Sequence, residues 1–198
     1  MDEAVREIAT MAGLASSRGW VPASSGNFSV RLDDGTIAVT VSGRDKGTIG
    51  RPDVTRLTAA GAALDAAEPS AEAALHLALY ARDGRTSAVA HTHSRTATLL
   101  SLEPGSPIVL AGLELLKAFA GIDSHETAVA VPVFDNDQDI ARLAARVDAH
   151  MDEHGAGVAY LIRGHGLYTW GESAAAVCRH LDALEFLFDV YWRRLSRA

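Results

Sequence analysis

The chain of 198 residues has almost no cysteine. Cys178 stands alone, so no disulfide can form within the chain and a disulfide-stapled scaffold is excluded. Long apolar runs are missing as well, and no stretch is long enough to span a bilayer. The first ten residues carry Asp2, Glu3, Arg6 and Glu7 and lack the apolar centre of a signal peptide, so the expectation is a cytoplasmic protein. There is no excess of positive charge. The net charge of −7, with basic residues scattered and clustered only at Arg193, Arg194 and Arg197, argues against nucleic acid or an anionic membrane as partner. Repeats, low-complexity tracts and linkers are absent too. With 48% hydrophobic residues the chain can fill one full-sized core, which predicts a single domain over residues 1–198.

What is present reads as mixed helix and strand. The stripe Val5, Ile8, Ala12 and Ala15 predicts a helix over 3–18, stopped at Gly19. Residues 28–31 and 36–42 predict a hairpin around Asp33-Asp34-Gly35, and 53–68 a short strand and turn. Pro69-Ser70 opens a helix to about Arg82 with Ser70 as N-cap, its buried face marked by Leu75 and Leu79. A strand over 88–94, a helix over 97–101 and a short helix over 113–121 follow. Then come a strand over 127–133, a helix over about 138–154, strands over 158–163 and 167–170, and a last helix over about 173–195. That last helix carries apolar residues at 177, 181, 184, 188, 191 and 195, a seam for core packing or for a contact between copies. The pattern predicts an α/β sandwich whose sheet is not purely parallel.

The chemistry gathers at Ala-Val-Ala-His-Thr-His-Ser, residues 88–94. Side chains two apart on a strand share a face, so His91 and His93 project together while Thr92 faces away. They are half of a metal site or two hydrogen-bonded core histidines. His165 lies between two glycines at the end of a strand and adds a third imidazole. Three such nitrogens suit a catalytic Zn²⁺ with an open position, with Fe²⁺, Co²⁺ or Mn²⁺ also compatible. Glu72, on the apolar side of its helix with His76 at i+4, is unusual there unless paired or ligated. Three small polar segments predict an anion cradle for a phosphorylated substrate: Ser25-Gly26-Asn27, Ser42-Gly43 with Lys46, and Ser70. A metal beside carboxylates suits chemistry next to a carbonyl, through an enediolate, with a carboxylate moving the proton. Glu72 and Glu114 are the candidates, Glu114 being otherwise a surface partner of Lys117 at i+3.

With Glu72, His91-Thr-His93 and His165 in hand, the sequence resembles the class II aldolase/adducin family over nearly its whole length. The closer likeness is to dehydratases within it. It lies in Gly19-Trp-Val-Pro-Ala-Ser-Ser-Gly-Asn27, Ser42-Gly-Arg-Asp-Lys46-Gly47, Pro69-Ser-Ala-Glu72, Leu115-Leu-Lys117, Ser124-His-Glu126, Phe134-Asp-Asn136-Asp-Gln138-Asp139 and Arg163-Gly-His165-Gly-Leu-Tyr-Thr-Trp170-Gly. The resemblance implies an α/β/α sandwich with a largely antiparallel central sheet and a ring-like homotetramer with sites near subunit interfaces. It implies loss of water from 5-methylthioribulose 1-phosphate, giving 2,3-diketo-5-methylthiopentyl 1-phosphate, in methionine salvage. Carried onto this sequence, it makes His91, His93 and His165 ligands of one Zn²⁺ per subunit and Glu114 the acid/base. Gly26, Asn27, Ser42, Gly43 and Ser70 receive the phosphate, and Glu72 takes the position of the aldolases' acidic residue. The alternatives are a fuculose- or ribulose-phosphate type aldolase or epimerase on the same scaffold, and a non-catalytic, adducin-like interaction module.

Overall fold

A computed structural model describes residues 1–196. Its centre is a seven-stranded sheet. The strands are β1 (Asn27–Arg31), β2 (Ile37–Thr40), β3 (Val54–Leu57), β4 (Ala88–Thr92), β7 (Val133–Phe134), β8 (Ala159–Ile162) and β9 (Gly166–Gly171). Their order is β3-β2-β1-β4-β9-β8-β7. Every pairing is antiparallel except β7 with β8. A separate two-stranded ribbon joins β5 (Ile108–Leu110) to β6 (Val129–Val131).

Helices α1 (Asp2–Ser17), α3 (Arg95–Leu102) and α5 (Ala174–Leu195) cover one face, and α2 (Ala73–Arg82) and α4 (Ile140–His154) cover the other. The alternation of each strand divides the core in two. Phe28, Val30, Ala88 and Ala90 pack toward α1 and α5, while Val89, Tyr160 and Tyr168 pack toward α2 and α4. This is the α/β/α sandwich, largely antiparallel, that the sequence predicted.

Several ends of elements follow the local chemistry. Gly19 stops α1 with φ +71°, and the N–H of Trp20 reaches back to Ala15 O at 2.9 Å. Ser94, Asp139 and Ser173 cap α3, α4 and α5 through side-chain oxygens. Along α5 the predicted seam is core as far as Phe188: Val177, Leu181, Leu184 and Phe188 are buried, Tyr191 is half-buried and Leu195 is exposed.

Three expectations are corrected. The second helix starts at Ala73 rather than Ser70, because Pro69 still bridges Val41 and the N–H of Ser70 still pairs with Thr40 O. The segment around Glu114 is a 3-10 turn over Glu114–Ala118, with Leu116 and Phe119 buried at the i, i+3 spacing of such a turn. The run 127–133 is two strands. Pro132 lacks an N–H, so the ladder breaks there and the chain leaves the ribbon for the main sheet. On α5, His180 is buried, with its Nδ1 against Trp170 O at 2.9 Å.

Candidate active site

Strands β1, β4 and β9 lie side by side in the sheet and bring the catalytic candidates together at one end. His91 lies near the end of β4 and His93 just past it, their rings 4.5 Å apart between centroids. The turn between β8 and β9 carries His165, with ring centroids 4.9 Å from His91 and 4.6 Å from His93. Glu72 comes from the start of α2. Among the described residues, Glu72, His91, His93 and His165 form the one group able to hold a metal ion, with all four ligand atoms within 4.8 Å of one another.

Two glycines permit this approach. Gly26 has φ +75°, and a Cβ there would stand 2.6 Å from His91 O. A Cβ on Gly166 would collide with Thr92 O. Beneath the site, Tyr168 stacks on His91 with centroids 4.0 Å apart and Tyr160 stacks on Tyr168 at 4.9 Å, fixing the imidazole in its plane.

The donor set fits a metal. The Nδ1–H of His91 donates to Leu167 O at 2.9 Å, so Nε2 carries the lone pair. That Nε2 faces His165 Nε2 at 3.3 Å and Glu72 Oε2 at 3.3 Å, while Glu72 Oε1 lies 3.0 Å from His165 Nε2. Lone pairs and a carboxylate turned on one point are the arrangement a cation settles. Burial first, then the charge of His165, pushes His93 down to about 4, and burial holds His91 well below its ordinary value. Burial would raise Glu72, but hydrogen bonds from His165 and Asn27 and the charges of His91 and His165 outweigh it and hold the carboxyl well below its usual range. His91 and His93 held below their ordinary values beside an ionised Glu72 are in the protonation state that metal binding needs.

The cluster opens into a cleft of about 340 Å³. Gly26, Asn27, Ser42, Gly43 and Ser70 line it together with Glu72, His93 and His165. Two expected residues stand elsewhere. Lys46 is buried behind the loops, its Nζ donating to Ser24 O at 3.0 Å and Arg44 O at 2.7 Å; it ties the loops together rather than reaching into the cleft. Glu114 is not among the residues lining the cleft. Its carboxylate pairs with Lys117 at 2.5 Å and faces His125 at 3.7 Å, in a cluster open to solvent. The sequence reading missed a wall of the cleft. Asn136, Asp137 and Gln138 line it, and Arg142 and Arg146 hold Asp137 in place at 2.6 and 3.2 Å. The sequence marks this run of four polar residues before a helix as part of the likeness to the dehydratases, without assigning it to the cleft.

A model of the class II aldolase and adducin N-terminal domain matches residues 6–192. The chain belongs to that family. It is 53% identical over 176 residues to a methylthioribulose-1-phosphate dehydratase of Methylococcus capsulatus, covering 89% of this chain and 86% of that protein. It is 48% identical over 187 residues to a protein of the same name from Sorangium cellulosum, covering 92% and 88%. In structure it resembles an L-fuculose 1-phosphate aldolase with a TM-score of 0.83 at 20% identity, over 100% of this chain and 89% of that one, a likeness of fold. Class II aldolases are metal-dependent, and the four-residue donor group of this member stands where its cleft opens.

Proposed function

We propose that this chain is a hydro-lyase that removes water from 5-methylthioribulose 1-phosphate and yields 2,3-diketo-5-methylthiopentyl 1-phosphate, a step of methionine salvage. The observation that carries the reading is the convergence of Glu72, His91, His93 and His165 at a cleft walled by small polar loops, in a chain whose relatives of that name match it at about half identity. His91, His93 and His165 hold one Zn²⁺ per subunit, with Glu72 completing the donor set. When bound, the ion polarises the substrate's carbonyl oxygen and acidifies the neighbouring C–H.

The chain's own residues do the rest. Gly26, Asn27, Ser42, Gly43 and Ser70 receive the phosphate on backbone N–H groups and hydroxyls, which fixes the sugar end over the imidazoles. The C3–H bond breaks toward Glu114, the C4–O bond breaks as that proton reaches the departing hydroxyl, and the C3 enol left behind becomes a ketone. In one copy Glu114 stands outside the cleft, so it acts on the cleft of a neighbouring copy. This reading makes the enzyme a homotetramer of 198-residue single-domain chains, working in the cytoplasm on a small phosphorylated ketose.

Metal removal tests the proposal. Protein stripped by a chelator should lose turnover of 5-methylthioribulose 1-phosphate and regain it with one equivalent of Zn²⁺ per chain. Full turnover in the stripped protein, or none in the reloaded one, contradicts it.

A further inference from the structure

A line of polar side chains crosses the core between β1 and α2, and the reaction above gives no role to its Ser29, His76 and Tyr80. β1 turns Asn27, Ser29 and Arg31 toward the helix at every second position. α2 and its N-cap answer with Glu72, His76 and Tyr80 at every fourth. Two strand residues advance about 6.6 Å and four helical residues about 6 Å, so the two stripes stay in step. Asn27 Nδ2 donates to Glu72 Oε2 at 2.7 Å and to Ser70 Oγ at 3.0 Å. Asn27 Oδ1 is bonded to His76 Nε2. His76 Nδ1 lies 2.7 Å from Ser29 Oγ, which lies 2.9 Å from the Tyr80 hydroxyl. Asn27, Ser29, His76 and Tyr80 are all buried, and the Arg31 guanidinium closes the far end over the Tyr80 ring at 4.9 Å.

We propose that His76 is a positioning residue: locked as the Nε2–H tautomer, it holds the Asn27 amide with Nδ2 toward Glu72 and so aims that carboxylate at the metal site. The direction follows from what each atom can do. Asn27 Oδ1 only accepts, so His76 Nε2 must donate. His76 Nδ1 must then accept from Ser29, and Ser29 from Tyr80, so every bond in the line points toward Glu72. The other tautomer would need Asn27 turned over, with Oδ1 set against the ionised Glu72. Ring tautomer and amide orientation are therefore one choice, and the carboxylate makes it. Burial pushes His76 down to about 4, so the ring is neutral near pH 7. The role toward the metal rests on the proposed metal site; the tautomer does not.

The test has two arms. In ¹⁵N-labelled wild-type protein, long-range ¹H–¹⁵N spectra of the histidine rings should find His76 neutral with its proton on Nε2 at pH 7. A proton on Nδ1, or on both nitrogens, overturns the lock. In the second arm, metal-free wild type, His76→Leu and His76→Gln are titrated with Zn²⁺ against a competing chelator. Leucine should weaken zinc binding by about 10- to 100-fold, and glutamine, whose amide nitrogen can donate to Asn27, should recover most of it. Equal affinity in all three, or an equal loss in both folded variants, overturns the role. Absence of zinc binding in the wild type would sink the metal reading of the site alone, and the ring spectrum would still decide the tautomer.

Discussion

Two clusters in this chain pair glutamate with histidine, and their settings are opposite. Glu72 stands among His91, His93 and His165 with its side chain 16% exposed, held on both oxygens by neighbours from three different elements. Glu114 stands with Lys117 and His125 with its side chain 72% exposed, on a five-residue 3-10 turn. The first cluster is finished within one chain, because β1, β4 and the turn into β9 lie side by side and Asn27 ties the start of α2 to them. The second has no wall opposite it. The proton transfer proposed for Glu114 needs a substrate in reach, so that proposal makes the exposed cluster half of a site that another copy completes, whereas the buried cluster already opens into a cleft of its own chain.

The comparison can be broken from either side. The largest effect belongs to the buried cluster. His91→Ala should abolish metal loading and turnover together, a loss of several kcal/mol of charge stabilisation and so about 10³-fold or more. Metal analysis beside a turnover assay checks this, and normal activity without metal would refute it. Next comes the exposed cluster. Glu114→Gln should keep zinc and substrate binding while turnover falls by about 10²- to 10⁴-fold. Mixing that variant with His91→Ala under subunit exchange should restore part of the activity. If the mixture stays dead while Glu114→Gln alone is dead, the acid/base does not cross between copies.

A smaller effect tests the packing that builds the buried site. Gly26→Ala should cost about 1–3 kcal/mol through its left-handed φ and the approach to His91 O, read as a lower melting temperature. An unchanged melting temperature would mean the loop is not clamped. A pH effect comes from the underside of the site. Glu185 is buried on α5, and burial raises it to about 7, with a hydrogen bond from the Ser94 hydroxyl opposing. Its folded value lies above its unfolded one, so the stability it contributes is complete below about 4.5 and is lost as pH rises to about 7. Glu185→Gln should therefore melt higher than the wild type at pH 8 and lose that advantage at pH 4.5. The same difference at both pH values would contradict this. The smallest effect is the contrast itself: Lys117→Ala, which removes a solvent-exposed ion pair, should leave the melting temperature unchanged.

Much of this was legible in the sequence because it is local. The spacing of His91 and His93, the glycine-flanked His165 and the stop of α1 at Gly19 each rest on residues a few positions apart. So did the hairpin and the α5 seam. What stayed hidden depends on register between distant segments. Nothing near Lys46 says that its ammonium turns inward to Ser24 O and Arg44 O rather than toward an anion. Nothing near Asn136 says that this segment faces His93 and His165 across a cleft. The pairing of 27/29/31 with 72/76/80 needs a strand and a helix laid side by side, which periodicity alone does not supply. For Glu114 the sequence offers both a proton-moving carboxylate and a surface partner of Lys117, and the structure shows the ion pair on an exposed turn.

The most direct measurement is a product analysis. Zinc-loaded protein is given 5-methylthioribulose 1-phosphate and, separately, fuculose 1-phosphate, and the products are weighed by mass spectrometry. The account predicts loss of one water from the first and no change in the second. Cleavage of fuculose 1-phosphate to a triose phosphate and an aldehyde, with the methylthio sugar untouched, would contradict it.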